Sequence, residues 1–191
     1  MLIHGAAGGV GHIMIQVARA FDIQVITTSS SNERAAFCES MGANLALNRS
    51  QVSFVEAVKE RTLGRGVDVV VDCLGGPTFN DNLQALKIGG RYVLQASEMG
   101  SGHVDFQKVI DKRITVTGSS FRSRELAFRN KLVAVVHEHV WPLLEAKAVV
   151  PRVQQVSKMS EAPQAIALLE QGRVMGKVVC TVAGELLRAD P

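Results

Sequence analysis

The chain opens on a short apolar run, Met1 to Ile3, that stops at Gly5; further glycines follow at positions 8, 9 and 11. Apolar Val10, Ile13, Met14, Val17 and Ala18 then recur at three- and four-residue spacing. That period predicts a strand, a tight glycine turn and a helix with one buried face. The alternation continues along the chain. β-Branched Ile23 to Thr28 predicts a second strand, and Ser29 to Asn32 supplies caps for a helix through Arg34, Ala35, Phe37 and Cys38 to Gly42. Ala43 to Leu47 predicts a third strand, Phe54 to Thr62 a helix, and Gly64 to Gly66 a turn. Val67 to Leu74 has the strongest buried-strand pattern and ends at Gly75-Gly76-Pro77. A helix over Asn82 to Leu86 and the Gly89-Gly90 pair lead to a fifth strand, Arg91 to Gln95. After a loop around Gly100 to Gly102, a short helix over Phe106 to Asp111 precedes a sixth strand, Arg113 to Gly118.

Strands alternating with helices predict an α/β fold, a doubly wound parallel sheet of about six strands. A C-terminal helix-strand-helix-strand segment follows: Glu125 to Ala146 as one long helix, Val153 to Val156, Glu161 to Gln171, and Lys177 to Val182. Trp141-Pro142 marks a break or kink with a packed aromatic within the long helix, and Gly184 to Pro191 reads as a frayed tail.

Composition narrows the function classes. At 191 residues and 47% apolar, the chain can fill a core without staples. The net charge of +3 is spread without a basic block, which favours neither nucleic acid nor an anionic membrane. Cys38, Cys73 and Cys180 lie far apart with no C-x-x-C pair, as in a protein of the reducing cytoplasm without a disulfide framework or zinc lobe. No run of about 18 apolar residues predicts a membrane span. The opening lacks a basic n-region, so no signal peptide is expected. The first strand starts at Met1 without any lead-in, so an element that normally precedes it is expected to be missing.

The glycine turn carries the chemistry. Ala6-x-Gly8-x-x-Gly11 is a variant of G-x-G-x-x-G, in which backbone N–H groups and a helix N-terminus meet a pyrophosphate. Gly8 lets the backbone approach the phosphates, and Gly11 lets the helix pack on the strand. NAD-preferring folds place an acidic residue about 20 positions beyond the glycines. Here that region reads Thr28-Ser29-Ser30-Ser31, with Arg34 close by and Arg49 after the third strand. Hydroxyls and arginine suit a 2′-phosphate, so NADPH is expected over NADH. The alternative leaves the serines as helix caps and both arginines on the surface. Cys73 and Gly75 end the fourth strand, and Ala96-Ser97 the fifth, where such sheets hold ligands. No His or Lys adjoins Cys73, which makes it a buried filler rather than a nucleophile. His4 reads as structural. His103, His137 and His139 have no metal-ligand partners, no metal site is expected, and no catalytic residue can be named.

Several stretches together resemble the medium-chain dehydrogenase/reductase superfamily: His4 to Gly11, Val67 to Asp72 with Gly75-Gly76, and Gly89-Gly90-Arg91. Lys112 to Ser120 with Arg122-Ser123-Arg124, Val140 to Leu143, and Gly176 to Val179 are similar to its NAD(P)H quinone oxidoreductase branch, of the p53-inducible type. The resemblance implies a Rossmann-type NAD(P)-binding domain over residues 1–150. Residues 151–183 would return to a GroES-like catalytic domain absent from this chain, and 184–191 would form the tail. It further implies hydride transfer from NADPH to a quinone or another α,β-unsaturated carbonyl, without catalytic zinc. By position, Gly8, Gly9, Val10 and Gly11 would meet the pyrophosphate, and Ser31 and Arg34 the 2′-phosphate. Ser119 and Arg122 would fall near the nicotinamide-side loop and oligomer region. Arg49 stands where the family usually has tyrosine. A homodimer through the strand Arg113–Gly118 is implied, and would also remove an exposed sheet edge. Two other functions stay open: a non-catalytic nucleotide-binding or interaction module, and the cofactor half of an alcohol or enoyl-thioester reductase.

Overall fold

A computed structural model describes residues 1–182. Leu2–His4 (β1), Ile26–Ser29 (β2), Leu45–Asn48 (β3), Val67–Asp72 (β4), Leu86–Leu94 (β5) and Thr115–Gly118 (β6) form one parallel sheet. Its order is β3-β2-β1-β4-β5-β6, the doubly wound arrangement that the strand-helix alternation predicts. Leu2 pairs with Ile26 on one side and Val70 on the other, which sets β1 in the middle of the sheet.

Helices cover both faces. They are Gly11–Ala20 (α1), Asn32–Ser40 (α2), Phe54–Arg61 (α3), Phe79–Ala85 (α4) and Phe106–Lys112 (α5). Successive strand residues point to opposite faces, so Leu2 and Ile3 enter different cores. Leu2 joins Ile26, Phe54, Val58, Val70, Leu83 and Tyr92, whereas Ile3 joins Ala6, Ile15, Ala18, Val25 and Cys38. Ser31, Ser53 and Asp105 cap α2, α3 and α5 by accepting backbone N–H bonds. Lys112 Nζ donates to the carbonyls of Leu83, Gln84 and Leu86 and so ties the end of α5 to the exit of α4.

Three elements depart from the pattern in the sequence. The second strand begins at Ile26, because Ile23 N–H still closes the end of α1 on Ala18 O at 2.9 Å. Gly89 and Gly90 lie inside β5, where the register jumps from Val67↔Leu86 to Val69↔Arg91 and Gly89 takes φ +71°. The extra residues bulge out while pairing resumes beyond them. Glu125–Ala146 forms two helices, Leu126–His139 (α6) and Trp141–Glu145 (α7). Pro142 has no N–H to continue the ladder and is tolerated in the first turn of a new helix. Trp141 is not packed inside: it is 49% exposed, with its ring stacked on His137 at 6.2 Å.

The buried face of α1 also differs. It comprises Gly11, His12, Ile15 and Ala18, while Val10 is 60% exposed. His12 is accepted inside because both ring nitrogens are bonded, Nδ1 to Gly8 O at 2.9 Å and Nε2 to Arg152 N–H at 3.1 Å.

Val153–Lys158 (β7), Ala162–Glu170 (α8) and Lys177–Thr181 (β8) complete the described chain. The sequence leaves these two strands without a partner sheet, but they pair in parallel with each other across α8. The segment is fastened to α1: the Gln16 side-chain amide donates to Val150 O at 3.0 Å and accepts from Val150 N–H at 2.9 Å. Gly176 N–H reaches Ala7 O at 2.9 Å, so β8 starts against the glycine turn. The expected tail lies outside the described residues. No helix among those described is long and apolar enough to cross a membrane.

Candidate dinucleotide site

The turn between β1 and α1 is built for close approach. Gly5 takes φ +62°, a left-handed conformation that a side chain resists, and a Cβ there would lie 2.6 Å from Cys73 Sγ. Gly8 N–H closes the turn on Gly5 O at 3.0 Å. A Cβ on Gly11 would lie 2.5 Å from Ala6 Cα, so only glycine lets α1 start this close to the strand. The N–H groups of Gly9, Val10 and Gly11 have no protein acceptor among the described residues. They belong to the N-terminal turn of α1, where the helix dipole favours an anion.

A cleft of about 410 Å³ opens beside this turn, at the carboxyl ends of β1, β2 and β4. It brings together Gly8, Gly9, Ser30, Arg34, Arg49 and Cys73 of the residues singled out in the sequence. Gly5, Ala7, Ser29, Leu74 and Glu98 join them on the sheet side. Ala6 and Gly11 lie under the turn and Val10 outside it, none of them lining the cleft. Ser31 caps α2 through Arg34 N–H at 3.3 Å and does not line the cleft either. Gly75 stands against Ser97, whose Oγ donates to Gly100 O at 2.7 Å. Ala96 lines a separate cavity beyond that loop.

Two features of the cleft were not legible in sequence. Leu169, Gly172, Val174 and Gly176 of the C-terminal segment form its outer wall. Arg34 ties that wall in place, with Nη2 donating to the carbonyls of Gly172 and, at 3.1 Å, Val174. Lys177 is the second: its Nζ comes within 2.7 Å of where a Cβ on Gly9 would lie, so an ammonium stands over the glycine turn.

Beneath the cleft runs a buried polar network. His4 Nδ1 meets Thr28 Oγ1 at 2.6 Å, and His4 Nε2 meets Asn82 Oδ1 at 2.7 Å. Burial pushes the His4 pKa below its usual range, and the Asn82 hydrogen bond opposes this in part. Asn82 Nδ2 donates to Asp72 Oδ2 at 3.3 Å and to Tyr92 Oη at 3.1 Å. Asp72 also accepts the N–H groups of Leu74, at 2.7 Å, and Gly75, at 3.1 Å, which turns the chain at the end of β4. Burial raises the Tyr92 pKa, and the hydrogen bond to Asp72 adds to it. Burial, with Glu98 and Asp72 nearby, pushes the Cys73 thiol up to about 11. A thiol held protonated at neutral pH is a poor nucleophile.

A family model described as zinc-binding dehydrogenase matches residues 9–138. The chain belongs to this family. It is 40% identical over 124 residues to a 2-haloacrylate reductase of Burkholderia, a match covering 65% of the chain and 36% of that relative. It is 29% identical over 123 residues to the rat quinone oxidoreductase, covering 64% and 37%. The Escherichia coli quinone oxidoreductase complexed with NADPH superimposes with a TM-score of 0.81 at 28% identity, covering 93% of the chain and 56% of that structure. The matches thus span about a third of the curated relatives and about half of the solved structure.

The zinc in the family's description finds no donor set among the described residues. Among the described residues, no three His, Cys, Asp or Glu side chains converge where they could share a metal ion. A nicotinamide dinucleotide fits better: the Gly9 amide, without an acceptor, lines a cleft that among the described residues carries Arg34 and Arg49 against the one carboxylate of Glu98.

Proposed function

We propose that this chain is the NADPH-binding portion of a quinone oxidoreductase-like reductase that delivers hydride to a quinone or another α,β-unsaturated carbonyl. The observation that carries the reading is the cleft itself, in which two arginines and the Gly9 amide, without an acceptor among the described residues, stand at the carboxyl ends of β1 and β2. When bound, the cofactor supplies the hydride; the protein binds, orients and shields it. Gly8 and Gly9 lie along the pyrophosphate and Lys177 counters its charge. Ser30, Arg34 and Arg49 hold the 2′-phosphate. Gly75, Ala96 and Ser97 border the nicotinamide end. Ser31 keeps Arg34 in place by capping α2.

We assign the rest of the substrate cleft to a GroES-like domain of the same protein. α6 leaves Leu126 64% and Val133 57% exposed, apolar surface that such a neighbour would cover. A second copy pairs along β6, whose residues are all exposed at the end of the sheet. The three free thiols fit a cytoplasmic protein.

Calorimetric titration with NADPH and NADH, on the chain and on Arg34→Ala, tests the reading. NADPH should bind about tenfold to a hundredfold tighter than NADH, and the variant should erase that difference. Absence of heat with either nucleotide refutes the dinucleotide site. Equal losses for both nucleotides would leave Arg34 only its bonds to Gly172 and Val174.

A further inference from the structure

We propose that the cavity between the ends of α1 and α2 and the C-terminal segment is a second anion site, which takes a phosphate group between Arg19 and Arg152. The cavity holds about 330 Å³ and is lined by Gln16, Arg19, Ser40 and Arg152 among apolar neighbours. It lies apart from the dinucleotide cleft and shares no lining residue with it. Neither guanidinium enters an ion pair among the described residues, and no carboxylate lines the cavity. The other two polar side chains are already committed. Gln16 Nε2 donates to His12 O and Val150 O, both at 3.0 Å, and Ser40 Oγ donates to Phe37 O at 2.8 Å. Arg19 is not needed as a helix cap, because backbone N–H groups close the end of α1: Asp22 on Arg19 O at 3.0 Å and Ile23 on Ala18 O at 2.9 Å. Its side chain is held in place by packing over Gly42, where a Cβ would lie 2.7 Å from Arg19 Cδ. Two planar forks of N–H donors, carried by different parts of the chain, suit the several oxygens of one phosphate.

Arg152 joins this cavity to the cleft. Its N–H donates to His12 Nε2 at 3.1 Å, and His12 Nδ1 in turn bonds Gly8 O at 2.9 Å in the glycine turn. Its carbonyl accepts the N–H of Lys177 at 2.8 Å, the residue whose ammonium stands over that turn. A phosphate bridging Arg19 on α1 to Arg152 holds these bonds in register and steadies the outer wall of the cleft. Filling the cavity therefore tightens the cleft, and by linkage a nucleotide in the cleft tightens the cavity. This coupling rests on the dinucleotide reading; the anion site itself does not.

The test is calorimetric titration with inorganic phosphate and with glycerol 3-phosphate, on the chain saturated with NADPH so that the cleft is filled. Arg19→Gln and Arg152→Gln should each weaken binding about tenfold, and the lysine variants at both positions should recover part of it. Arg91→Gln, which removes an equal charge outside the lining, should leave it unchanged. Tighter binding of glycerol 3-phosphate assigns the site to a phosphomonoester; equal or weaker binding assigns it to free phosphate. No binding to the saturated chain, undiminished binding in both glutamine variants, or an equal loss in Arg91→Gln would each overturn the proposal. The coupling has its own readout, the ratio of NADPH affinities with and without the added phosphate compound. That ratio should be about fivefold higher in the parent chain than in Arg152→Gln. An equal ratio removes the coupling and leaves the anion site. Should NADPH itself fail to bind, the same titration of the free chain still reads the site through Arg19→Gln and Arg152→Gln, so the two readings fail separately.

Discussion

Tyr92 donates its hydroxyl proton to Asp72 Oδ2 at 2.5 Å, and both residues are fully buried at the junction of β4 and β5. The same side chain accepts the N–H groups of Leu74 and Gly75, so one buried carboxyl group shapes the turn that borders the cleft. Its oxygens are met by the donors of Leu74, Gly75, Asn82 and Tyr92, an arrangement that leaves each donor costly to remove.

Tyr92→Phe removes one donor to Asp72 and one acceptor for Asn82 while keeping the ring. It should cost about 1–3 kcal/mol. Urea unfolding should show a lower midpoint with an unchanged slope. An unchanged midpoint would mean that the network adds nothing to stability.

His4 gives stability a pH dependence. The folded-state pKa lies below the ordinary 6.5 because burial disfavours the imidazolium. As pH falls through that ordinary value, the unfolded chain takes up a proton that the folded chain refuses. Stability should therefore be intact above about pH 7 and decline below it, by at most about 1.4 kcal/mol per pH unit. The decline from this group ends once folded His4 is itself protonated. Denaturation midpoints of the protein and of His4→Gln, followed from pH 7 to pH 5, should diverge in slope. Parallel curves would assign the effect to other groups.

Gly9 and Gly11 should separate binding from folding. A methyl on Gly11 meets the Ala6 backbone at 2.5 Å, which cannot move without shifting α1, and a loss of about 1–3 kcal/mol is expected. A methyl on Gly9 meets only the flexible end of Lys177. Gly9→Ala should leave thermal stability nearly unchanged and still weaken NADPH binding about tenfold, by crowding the phosphate approach and displacing the ammonium. Unaltered NADPH affinity in Gly9→Ala would place the pyrophosphate elsewhere.

The β6 edge makes association measurable. Pairing of two copies along this strand would bring Val116, itself exposed, close to its counterpart. Val116→Lys puts like charges on both edges. Sedimentation should then show a shift from dimer to monomer. A monomeric parent protein would exclude this interface.

The order of the fold was legible because it rests on local signals. Strand and helix periods, Ser31 as a cap and the glycine spacing each report a nearby energy: burial of one face, an unsatisfied N–H, or a clash with a Cβ. Glycine spacing also located the close-packed turn between β1 and α1, since its demand is made by the backbone within a few residues. Val10 was placed on the wrong face, because periodicity registers apolarity and cannot see that His12 finds partners for both nitrogens. Lys177 and the Gly172–Val174 wall went unseen for a related reason, being brought to the glycine turn by contacts that span most of the chain.

By itself, the sequence determined a strand-turn-helix opening, the repeat of parallel βα units and a second strand that ends in hydroxyls rather than a carboxylate. Short-range sterics and hydrophobic period suffice for each of these. Only the tertiary structure decided that β7 and β8 pair with each other, that Arg34 bonds the outer wall of the cleft, and that Asp72, Tyr92, Asn82 and His4 form one buried network. Those outcomes depend on which polar groups meet once water is excluded, and partners separated by up to 140 positions leave no trace in any local pattern.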